Sequence, residues 1–242
     1  MEVKVNKIDK NTSAIEKNKK RILKIKSDVK TNEALIFQSR SMIEENRLMI
    51  LSNYAAAFMG NRQLANHNTE QVLENRNSIL RSFVAENDVE KDCILASFNK
   101  TSLDFLDHRS SLNTSVLEIS EELAEINSRL IAVNEKIMKA NESIVEFNNK
   151  QIDMNSELLD GALSPSKATS ESNAELIRAN SDAMDQLATK AAENSQRIQD
   201  VLNKSIENSA QLVENKKEIN ERRKSILENH ERISKNRDRI YK

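Results

Sequence analysis

Asparagine occupies one fixed slot of a seven-residue repeat through most of this chain, three residues after an aliphatic one. Ile8, Ile15, Ile22, Val29, Ile36, Ile43 and Ile50 are spaced by seven, and Asn11, Asn18, Asn32, Asn46 and Asn53 fill the matching slot, with Ile25 and Ser39 as exceptions. In heptad notation the aliphatic row is a and the asparagine row is d. The slot returns as Asn61, Asn68 and Asn75, as Asn99, Asn113, Asn127, Asn134, Asn141, Asn148 and Asn155, and as Asn173, Asn180, Asn194, Asn208, Asn215, Asn229 and Asn236. That puts 22 of the 29 asparagines at d, where unbiased placement would leave about one in seven. Only long amphipathic helices give such spacing a physical meaning, because only a helix returns position i+7 to the same face.

Composition agrees with this reading. Two glycines and one proline in 242 residues leave almost no material for the turns of a sheet protein. Hydrophobic residues at 38% and charged residues at 31% suit long helices with narrow apolar seams better than one thick core. A single cysteine, Cys93, excludes an intramolecular disulfide. The opening Met1-Glu2-Val3-Lys4-Val5 lacks the apolar segment of a signal peptide, and no run is long and apolar enough to span a membrane. The expected setting is soluble and cytoplasmic. Sequons at Asn11, Asn99, Asn113, Asn141 and Asn203 read as by-products of an Asn- and Ser-rich repeat, since four of them occupy d.

Breaks in the heptad frame mark where the chain turns, because a helix that keeps one seam toward its partners must keep its frame. Between Asn53 and Asn61 the slot advances by one residue too many, within Tyr54-Ala55-Ala56-Ala57-Phe58-Met59-Gly60. The extra residue predicts a bulge or kink beside Gly60. Residues 85–90 carry an Asn87-x-x-Glu90 helix start, which predicts a tight turn there. Asp160-Gly161 is suited to close a helix with a left-handed residue, and Ser164-Pro165 to open the next as N-cap and first helical position.

The expected fold is all-α, an elongated up-down-up three-helix antiparallel coiled-coil bundle with Ile or Leu at a and Asn at d. It forms a single domain over 1–242. Its helices run at about 6–84, 90–160 and 166–241, each roughly 105 to 120 Å long. A hairpin centred near residue 87 would set residue n of the first helix opposite about 175 minus n of the second. The widened apolar faces at Leu35/Ile36, Met42/Ile43 and Met49/Ile50 and at Leu123, Leu130/Ile131, Ile137/Met138 and Ile144/Val145 then fall at matching heights. Residues 1–30 hold ten bases against four acids and 145–180 six acids against three bases; 214–242 hold ten bases against six acids and 70–105 seven acids against four bases. Opposite charge at both ends favours this topology.

Buried amides without partners would cost about 1–3 kcal/mol each. The d asparagines must therefore bond one another, the backbone or ordered water. Asn11, Asn18, Asn32, Asn46, Asn53, Asn127, Asn134, Asn141, Asn148, Asn155, Asn208, Asn215, Asn229 and Asn236 are the candidate polar core and register residues, and ordered water or anions could occupy their layers. Met42, Met49, Leu130 and Ile137 form a candidate docking stripe where the apolar face is widest.

The segment Ile8-Asp9-Lys10-Asn11-Thr12-Ser13-Ala14-Ile15 reads Ile-x-x-Asn-Thr-x-x-Ile, which resembles the stalks of trimeric autotransporter adhesins. That resemblance implies parallel trimers able to hold an anion among three d-position asparagines. The threonine form fits this heptad alone, and the chain has no head, neck or membrane anchor of that family, so the likeness reads as convergent packing.

Nothing in the sequence marks a catalytic site. His67, His108 and His230 are the only histidines; the hairpin mapping sets His67 and His108 level with each other at outward heptad positions. Cys93 reads as a structural thiol. Glycine-rich phosphate loops and metal-ligand spacings are missing. The basic runs Lys17–Lys26 and Arg222-Arg223-Lys224 lack the aromatics that stack on bases, which disfavours nucleic acid. Asparagine in every apolar face disfavours the membrane surface. The expected function is non-enzymatic: a structural coiled-coil rod, spacer or fibre subunit, without cofactor or metal, that self-associates or meets another helical protein. The alternatives are an amphipathic bundle that opens to bind lipid or partner helices, and a parallel homotrimeric stalk.

Overall fold

The computed structural model describes residues 2–241 and is all-α, with three long helical runs and, among the described residues, no strand. The first run comprises α1 (Glu2–Tyr54), a π-helical segment (Ala55–Asn61) and α2 (Arg62–Ser82); α3 spans Asp88–Leu159; a 3₁₀ turn at Pro165–Lys167 leads to α4 (Ser170–Ile240). The chain divides into two compact units, residues 1–65 with 165–228 and residues 66–164 with 229–242.

The frame slip has the predicted outcome. All seven residues Ala55–Asn61 adopt π geometry, in which i→i+5 bonding absorbs one surplus residue without ending the helix. Tyr54 stacks on Phe58 at 5.3 Å between centroids, and the Arg62 guanidinium lies 4.6 Å from the centre of the Phe58 ring. This stack spans the segment from end to end. A Cβ on Gly60 would meet the tip of the Arg223 side chain, Nη1 at 3.4 Å.

Both reversals are built from local hydrogen bonds. At the first, Asn87 Oδ1 accepts from the Glu90 N–H at 2.9 Å while Glu90 Oε2 accepts from the Glu86 N–H at 2.8 Å, and α3 starts at Asp88, two residues before the expected position. At the second, Gly161 has φ +90°, the left-handed conformation anticipated for it, and Ala162 N–H returns to the Glu157 carbonyl at 2.9 Å. Pro165 opens only the 3₁₀ turn. The long helix begins later, at Ser170, because Thr169 and Ser172 cap it reciprocally: Ser172 N–H to Thr169 Oγ1 and Thr169 N–H to Ser172 Oγ, each 3.0 Å. That exchange satisfies two N-terminal donors, whereas proline can supply none.

In the first unit α1 and α4 run parallel. The rows of α1 turned inward are d and the g row beside it: Ile25, Asn32, Ser39, Asn46 and Asn53 are buried, and Leu35, Met42 and Met49 half-buried. They meet the a row of α4, where Met184, Ala191, Ile198 and Ser205 are buried. The isoleucine row of α1 stays at the edge, from Val29 at 44% to Ile8 at 54% exposed. The second unit packs the start of α3 along α2, with Thr101 buried and the ion pairs Arg109–Glu70 at 3.3 Å and Arg76–Asp104 at 3.7 Å. The paired numbers total 179 and 180 rather than 175, about one helical turn from the expected register.

Candidate functional site

The chemistry concentrated along the α1–α4 seam is amide to carbonyl. Asn11 Nδ2 donates to the Ser170 carbonyl at 3.0 Å, Asn18 to Ile177 at 3.2 Å, Asn32 to Ala191 at 2.8 Å, Asn46 to Ser205 at 2.7 Å and Asn53 to Leu212 at 2.9 Å. Each pair is separated by 159 residues. At the last residue of the π segment Asn61 donates to Ile219 at 2.8 Å, and in the second unit Asn75 donates to Ile233 at 3.1 Å, both across 158 residues. The π segment thus removes the one residue by which the first helical run outruns α4.

These bonds explain why an amide can sit in the seam. A helical carbonyl engaged with its i+4 N–H keeps a second lone pair, and Asn Nδ2 reaches it across a close helix pair. The net stabilisation is about 0.5–1.5 kcal/mol per bond. Where d is not asparagine the seam changes character: Ile25 is 6% exposed, while Ser39, at 4%, has its hydroxyl buried without a hydrogen-bond partner. Asn61 Oδ1 is likewise buried and unpartnered. Flanking ion pairs Lys7–Glu171 at 2.8 Å and Arg21–Asp185 repeat a second fixed offset, 164 residues.

The other predicted register residues lie elsewhere. Asn208, Asn215, Asn229 and Asn236 on α4 are exposed; Asn215 borders a groove beside the π segment with Asn53, Tyr54 and Asn61, and Asn229 and Asn236 border another with Asn68 and Val72. Asn127, Asn134, Asn141, Asn148 and Asn155 on α3 are all exposed. Of the docking stripe, Met42 and Met49 are half-buried in the first unit, whereas Leu130 and Ile137 are 45% and 52% exposed in the second.

Packing on α3 stops abruptly. Leu112 and Val116 are half-buried, and every residue from Leu117 to Leu163 is exposed. The apolar side chains of this stretch fill rows c, g and a on either side of the asparagine row, an arc of about 160° at 100° per residue.

His67 does not pair with His108. Its ring lies 6.1 Å from that of His230, whose Nδ1 is 3.1 Å from Asn68 Oδ1. The hairpin register is one turn from the expected one, and α4 brings His230 to this height. Cys93 is a free, exposed thiol. Glu214 raises the Lys217 ammonium above the ordinary lysine range through their 2.9 Å hydrogen bond and then through its charge. Among the described residues no group of three or more His, Cys, Asp or Glu is arranged to hold a metal ion, and no helix is long and apolar enough to cross a membrane.

Comparison with known proteins returns no matching family, no matching curated protein and no matching solved structure. The class defined by the fold is an all-α protein of three long helices.

Proposed function

We propose that the protein is a non-enzymatic structural element, a helical rod, spacer or assembly subunit whose work is to hold a fixed length and present side faces. The observation that carries this reading is the amide-to-carbonyl row with its constant 159-residue offset from Asn11 to Asn53. Over these 42 residue steps of sequence, about 63 Å of helix, the polar groups recur with the heptad and converge on no common point. A catalytic or small-ligand site needs convergence; a spacer needs repetition.

The parallel homotrimeric stalk gains less support. Two capped reversals bring α4 alongside α1 within one chain, and the carbonyls that receive the α1 amides belong to that same chain.

Small-angle scattering together with mass from light scattering tests the proposal. A rod gives a maximum dimension near that of one 71-residue helix, about 105 Å plus side chains, per folded chain. A particle with a maximum dimension below about 60 Å, as a globule of this length would have, ends the reading.

A further inference from the structure

We propose that the exposed apolar face of α3 docks on the exposed isoleucine row of α1 in a second copy of this chain, reciprocally, to form a closed dimer. The proposal deepens the assembly-subunit reading by naming the surfaces and the partner.

The size of the face is the first argument. Between Leu117 and Leu159 the large apolar residues are 38% to 87% exposed, which leaves on the order of 1,000 Å² of apolar surface in one strip. A soluble monomer seldom exposes a patch above about 600 Å², and a stable interface needs about 800 Å² per partner. The arc is also wide enough for two neighbouring helices rather than one.

Charge selects the occupant. Residues 117–159 hold nine acids against four bases, and residues 2–54 hold twelve bases against seven acids. An α3 face pressed on a second α3 face would bring net charges of about −5 together, whereas α1 offers about +5. On α1 the row Ile8, Ile15, Ile22, Val29, Ile36, Ile43 and Ile50 is evenly exposed at 44% to 54%, and it repeats every seven residues like the a row of α3. Each chain therefore carries one apolar row on a net-acidic helix segment and one on a net-basic segment. Reciprocal exchange between two copies would pair each row with its complement, the self-complementary arrangement of a two-fold dimer.

The test is sedimentation velocity on the full chain and on three variants. Ile137→Glu alters the α3 face and Ile43→Glu the α1 face, both with a strong helix former at a half-exposed position; Val213→Glu, at a position 58% exposed on α4, is the control. Far-UV circular dichroism establishes that each variant remains helical. The expected result is a wild-type mass of twice 27.6 kDa, a dissociation constant raised about tenfold or more by either face variant, no change for the control, and a weaker dimer at 0.5 M than at 0.05 M salt. A monomer at every concentration overturns the proposal, as does a trimer, an open-ended polymer, or a dimer indifferent to both face variants. Capture by phosphatidylcholine–phosphatidylserine vesicles in place of dimerisation overturns it in favour of a lipid occupant. The rod reading depends on maximum dimension and not on mass, so it can fail or stand separately.

Discussion

A single asparagine in this seam has an asymmetric energetic role. Asn46 gives its amide to a carbonyl that already holds an intrahelical bond, so losing the amide leaves no orphaned group on Ser205. Asn46→Ala is therefore expected to lower stability by about 1 kcal/mol, the lost bond and little more, as a reduced urea midpoint with unchanged m-value. Ser39 is the opposite case. Its hydroxyl is buried without a partner, and Ser39→Ala is expected to raise stability by about 1 kcal/mol, seen as a higher urea midpoint. The heptad spacing made the positions of the α1 asparagines legible, but not which other d asparagines would stay exposed. Their partners were not legible, because a backbone carbonyl is present at every residue and leaves no mark in the sequence. The pairing of His67 with His230 was hidden for a related reason: it depends on the offset between α2 and α4, which only the packed geometry reveals.

At the scale of the element, the seam reads residue number as phase. The π segment spends one residue and moves the offset from 159 to 158, so the surplus is local and removable. Deleting Gly60 would leave Asn53 seven places before the next asparagine, and an ordinary helix could then carry the whole run. That deletion is expected to preserve helicity and to shift Tm by no more than about 5 °C in thermal denaturation followed by circular dichroism. Deleting Lys24 removes the same length but throws Asn11 and Asn18 out of phase with every later rung. It is expected to lower Tm by more than about 10 °C, the consequence of losing several kcal/mol in a domain of this size. Gly161 is constrained by backbone alone: at φ +90° a Cβ is strained, so Gly161→Ala should cost about 1 kcal/mol although nothing lies within 4 Å of the added atom. The bulge, the first turn and Gly161 were legible because each carries its own residue chemistry. The start of α4 was displaced by four residues because the Ser164-Pro165 signal competes with the Thr169–Ser172 exchange, and two satisfied donors outweigh a preset φ.

Over the whole molecule, helix content and packing are distributed differently, and sequence pattern records only the first. The heptad is as regular on α3 as on α1, yet Asn32, Asn46 and Asn53 are buried while Asn134, Asn141 and Asn148 are exposed. A periodic apolar face states that a helix can be covered, not by what. Amide hydrogen exchange separates the two cases, because an amide in a packed helix is released only by opening its tertiary contacts, whereas one in an uncovered helix is released by local fraying. In dilute monomeric protein, amides of residues 119–157 are expected to exchange orders of magnitude faster than those of 18–53 and 177–212. At concentrations where a second copy binds, the α3 amides should slow toward the rate of the seam, and Ile137→Glu should abolish that slowing while leaving 177–212 unchanged. Equal protection of both regions in the dilute monomer would mean that α3 is covered within its own chain, and the dimer would lose its driving force.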